Sequence, residues 1–74
     1  MVPTKSDPKW TKFLANLGKF PVSDLSVKMM MNRIKMKILF DPSEASKQQA
    51  IGDAYDFFIK NQATVKEDIK LIFG

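Results

Sequence analysis

The chain has 74 residues, 45% of them hydrophobic and 27% charged, with a net charge of +4 and neither cysteine nor histidine. That length allows one domain with a small core, and the balance is globular rather than disordered. The missing residue types exclude disulfides, thiolate chemistry, imidazole acid–base catalysis and the commonest zinc ligands.

Residues 1–6 read as a flexible N-terminal tail, and residues 7–74 as a single helical domain. Asp7-Pro8 places a capping carboxylate before a proline suited to a first helical position. Trp10, Phe13, Leu14 and Leu17 then recur on one helical face, and Gly18 offers a stop. The first helix is expected over residues 8–17.

Pro21 stiffens the next connection, Ser23 can cap, and Val22 with Val27 form a hydrophobic staple. The second helix is expected over residues 24–39, ended by Asp41-Pro42. Within it, residues 33–40 also alternate apolar and basic with a period of two, as a strand would. Met and Lys favour helix, and no partner strand exists elsewhere, so the helix is preferred.

Asp41-Pro42-Ser43-Glu44 predicts a third helix over residues 42–61, with Asp41 as cap and Glu44 closing a box. Its buried face would be Ala50, Ile51, Ala54, Phe57 and Phe58. Thr64 to Glu67 is a second capping box. The last helix, residues 65–73, turns Val65, Ile69, Ile72 and Phe73 inward and is too short to persist undocked. The expected fold is all-α, a compact four-helix domain.

The second helix carries two apolar sides. Val27, Met30, Met31, Ile34 and Ile38 span about 100° of the helical wheel, as a core stripe does. Leu25, Met29, Met36 and Phe40 cluster on the opposite side within about 60°. Four of the five methionines lie here, and methionine suits surfaces that adapt to a partner. Leu25, Met29, Met36 and Phe40 are therefore the candidate protein-binding residues, for another protein or for a second copy of this chain. If the other helices surround this one, both stripes are simply core.

Charge is split between the halves. Residues 1–40 carry eight basic groups and two acids; residues 41–74 carry four lysines and six acids. Lys9, Lys12, Lys19, Lys28, Arg33, Lys35 and Lys37 could bind phosphates, which makes nonspecific nucleic-acid binding the alternative expectation. With one arginine among them, bidentate base readout is poorly served. A weaker third expectation is contact with an anionic membrane surface through Trp10 and the lysines of the first helix.

Nothing reads as catalytic. Asp53 and Asp56 share a solvated helix face, Ser23, Asp41 and Thr64 are explained as caps, and Glu67-Asp68 diverge too far for an oxygen cage. There is no phosphate-cradling glycine motif, and no cofactor or metal is called for. No apolar run approaches the ~20 residues of a membrane span, so the default expectation is a cytoplasmic, non-enzymatic binding protein: an adaptor, regulator or inhibitor of a larger assembly.

From Phe13 to Lys60 the order of features resembles the small helical domain at the N-terminus of transcription elongation factors. The shared points are a leucine-bearing helix, the Phe20-Pro21-Val22 turn, a basic second segment and an aromatic-ended helix. The tryptophan expected late in such domains is absent, and Phe57-Phe58 stands nearby. Modules of that kind bind proteins, which is what the resemblance implies here.

Overall fold

The computed structural model describes all 74 residues and contains four helices and no strand. They are α1 (Lys9–Ala15), α2 (Leu25–Phe40), α3 (Glu44–Asn61) and α4 (Lys66–Phe73). Residues 33–40 are helical throughout. Their period-two pattern arises because one apolar set faces inward and another outward on a single helix.

The helix ends differ in detail from expectation. α1 stops at Ala15, before Gly18, because Asn16 takes over the terminus. Its side-chain amide donates to the Lys12 carbonyl at 2.8 Å and its backbone N–H to Phe13 at 3.2 Å. No residue of the chain adopts a positive φ, so no glycine cap is used. Asn61 closes α3 in the same way, donating to the Phe57 carbonyl at 2.8 Å.

At the N-termini the caps shift along the chain. Asp24, not Ser23, caps α2, its carboxylate accepting from the backbone N–H of Ser26 and Val27. Ser43, not Asp41, caps α3, accepting from the Ser46 N–H at 3.2 Å. Asp41 instead accepts from the Ser43 N–H across Pro42, bracing the turn. Thr64 caps nothing; α4 begins after Val65 without a side-chain cap.

The core is aromatic at its centre. Trp10, Phe13 and Phe58 are fully enclosed. Trp10 meets Phe13 edge-on at 5.3 Å and Phe73 at 4.8 Å between ring centroids. Such edge-to-face pairs add to area burial. Val27, Met30, Met31 and Ile34 of α2 join this cluster, with Ala50, Ile51 and Ala54 of α3. Phe57, expected in the buried face of α3, is only half-buried.

The N-terminal residues expected as a loose tail lie against the domain. The Trp10 indole N–H donates to the Pro3 carbonyl at 3.1 Å, Val2 packs on the core, and the Lys5 ammonium sits over the Tyr55 ring at 5.3 Å. The physical reason is Trp10: a fully buried indole N–H needs an acceptor, and Pro3 supplies it.

α3 is the hub. α2 packs chiefly on α3, while α1 packs on both α3 and α4. Helix α2 is thus an outer helix of the bundle rather than a core helix ringed by the other three.

The outer face of α2 as candidate functional site

Two carboxylates fix the start of α2. Asp68, in the first turn of α4, is buried and accepts from the backbone N–H of Ser23 at 3.0 Å and of Asp24 at 2.9 Å. Asp24 then accepts from Ser26, through both its hydroxyl and its backbone N–H. The Ser26 hydroxyl holds the Asp24 carboxyl below its ordinary value; partial desolvation pushes it up less strongly, and the backbone amides of Ser26 and Val27 lower it further. Asp68, read from the sequence only as a carboxylate that diverges from Glu67, is the clasp between α4 and the start of α2.

Held in this rotation, α2 turns Val27, Met30, Met31 and Ile34 into the core and leaves Ile38 half-buried. The opposite side faces solvent: Leu25 is 69% exposed, Met29 56%, Met36 42% and Phe40 81%. All four residues singled out as protein-binding candidates lie together on this face. The wheel reading missed Leu39, which is 70% exposed and only about 40° outside the arc they span. Leu25, Met29, Asn32, Met36 and Leu39 follow at spacings of four, three, four and three, a continuous seam along the helix.

Apolar grooves lie beside the seam. On the α3 side Met29, Met30, Ile34 and Phe57 line a cleft of about 320 Å³, with Arg33 and Lys37 at its edge. On the α1 side Leu14, Leu17, Ile38, Leu39 and Pro42 line another of about 350 Å³. The Lys37 ammonium reaches the Asp53 carboxylate of α3 at 3.5 Å, the chain's one ion pair.

The basic residues do not gather into one patch on α2. Lys28 and Lys35 run along one edge of the seam, Arg33 and Lys37 along the other, roughly 140–180° apart across an apolar ridge. Lys9, Lys12 and Lys19 are exposed on α1 and the segment after it. Trp10 is fully buried, so it is not available as an interfacial membrane anchor. No helix is long and apolar enough to cross a membrane.

Comparison with protein families, with characterised proteins and with solved structures finds no match. The likeness of residues 13–60 to elongation-factor modules therefore gains no support.

Proposed function

We propose that this chain is a small, non-enzymatic binding protein that docks onto another protein through the outer face of α2. The supporting observation is one helix with two apolar faces, of which the fold uses only one. Leu25, Met29, Met36, Leu39 and Phe40 form a solvent-facing apolar row, broken only by Asn32, on an outer helix that packs chiefly on α3. Contiguous exposed apolar surface rimmed by polar groups marks interaction sites. Methionine gives such a surface the capacity to repack against its partner.

The test is affinity capture from the native host extract, with nuclease treatment, using wild type and Met36→Lys side by side. Met36→Lys places a charge in the seam without touching the core. A nuclease-resistant protein retained by wild type and lost with Met36→Lys is the expected result. Retention that disappears with nuclease, or a partner held equally by both proteins, would overturn the proposal. The first of those outcomes would select nucleic-acid binding through Lys9, Lys12, Lys19, Lys28, Arg33, Lys35 and Lys37.

A further inference from the structure

From the charge around the seam we infer the class of partner: an amphipathic helix whose apolar stripe is bordered by acidic residues, laid along α2. The inference rests on the proposal that α2's outer face binds protein, and it specifies what that protein presents. Three features of α2 carry it.

The first is spacing. Leu25, Met29, Asn32, Met36 and Leu39 repeat every three and four residues, the period at which a second helix stays in register with the first. The 16 residues of α2 give a track of about 24 Å. A helix exposes no unpaired backbone edge, so an extended strand gains no ladder here. The α3-side cleft, with Met29, Met30, Ile34 and Phe57 on its walls, has room for an anchoring leucine or phenylalanine from the partner.

The second is charge. α2 contains Lys28, Arg33, Lys35 and Lys37 and not one acidic residue. Lys37 is already paired with Asp53. Lys28, Arg33 and Lys35 are exposed at the seam's edges, where a docked helix places its own flanking residues. Glutamates there would complete charge pairs that α2 leaves open. Two copies of α2 would instead bring like charges together along the whole seam, whichever way they ran.

The third is Asn32, an exposed polar residue at the seam's midpoint. In a helix pair one such residue fixes register at a cost in affinity. Against a lipid surface, which presents no partner helix to register against, it contributes nothing.

The experiment uses the full chain and three synthetic peptides roughly three heptads long. Each has leucine along the seam; the flanking positions are Glu, Gln or Lys. Binding is followed by calorimetry and by amide shifts in α2. The Glu-flanked peptide should bind about tenfold or more tightly than the Gln-flanked one at low salt, and the Lys-flanked one weakest. The shifts should centre on Met29, Asn32, Met36 and Leu39. Added salt should narrow the gap. The triple variant Lys28→Glu, Arg33→Glu, Lys35→Glu should reverse the order in favour of the Lys-flanked peptide.

Equal binding of all three peptides, or no reversal by the triple variant, overturns the acidic-helix inference. So does concentration-dependent dimerisation abolished by Met36→Lys, which would assign the seam to a second copy. Co-sedimentation with phosphatidylglycerol vesicles, lost in Met36→Lys, would assign it to lipid and overturn the inference as well. The underlying protein-binding proposal fails separately, when Met36→Lys leaves capture of the native partner intact.

Discussion

Truncating Ile34 and Met36 to alanine separates the two faces of α2 within two residues of sequence. Ile34 is 3% exposed, so nearly its whole side chain leaves the core on truncation. Such changes cost about 2–5 kcal/mol, with the higher values where the surroundings cannot collapse. Here α2 and α3 are held by their own hydrogen bonds, so about 3 kcal/mol is expected. That is a large part of the roughly 4–11 kcal/mol available to a chain of this length. Burying a methionine side chain completely contributes about 1.5–3 kcal/mol. Met36 is 42% exposed, so only part of that contribution is at stake. Met36→Ala should therefore cost less than about 1 kcal/mol, since alanine also favours helix slightly. In urea melts followed by far-UV circular dichroism, Ile34→Ala should lower the midpoint by about 2 M and Met36→Ala by under about 1 M. Equal losses would mean that Met36 is packed as tightly as Ile34, and the outer face would then be core.

Other perturbations test the framework that presents this face. Asp68→Ala leaves the Ser23 and Asp24 amides without their acceptor and should cost about 3 kcal/mol in the same melts; Asp68→Asn, which keeps one acceptor oxygen, should cost less. Gly52→Ala should stabilise by about 0.5–1 kcal/mol, because Gly52 lies mid-helix and a Cβ there meets nothing within 4 Å. Asp24 has a lowered folded-state value, so its cap contributes above the unfolded value of about 3.9. That contribution fades as pH falls through the folded value, so the stability gap between wild type and Asp24→Asn should change only below about pH 4.

Helix periodicity was the legible part of this fold. Most inward positions of α2 and α3 follow from spacing, while Ile38 and Phe57 at the stripe margins are only half-buried. The caps were less legible, because adjacent residues compete for the same amides. Ser23 and Asp24 both suit the start of α2, and only the arrival of Asp68 from 44 residues away in sequence leaves Asp24 to cap. Local pattern also hides that Asp68 is buried, since the amides that donate to it, those of Ser23 and Asp24, lie just before a helix distant in sequence. The docked N-terminus is hidden for a similar reason. No rule about chain ends reveals that a buried indole N–H will claim the Pro3 carbonyl.

The candidate site was legible in a different way, as a surplus. A four-helix fold needs one apolar stripe per helix, and α1, α3 and α4 each carry one. α2 carries two, and periodicity alone leaves open whether the second faces a neighbouring helix or water. The packing of α2 chiefly on α3 decides that, because a helix held from one side leaves its other side exposed. Leu25, Met29, Met36, Leu39 and Phe40 then contribute little to holding the domain together. Polar residues at those five positions would fold as well and be more soluble. Because the core is complete without them, their presence is better explained by association than by folding. The same holds for the absence of any acid from α2: neutralising glutamates at i, i+4 spacings would stabilise the isolated helix. A basic border does not, and beyond the Lys37–Asp53 pair its charges gain a stabilising role when a partner supplies the opposite sign.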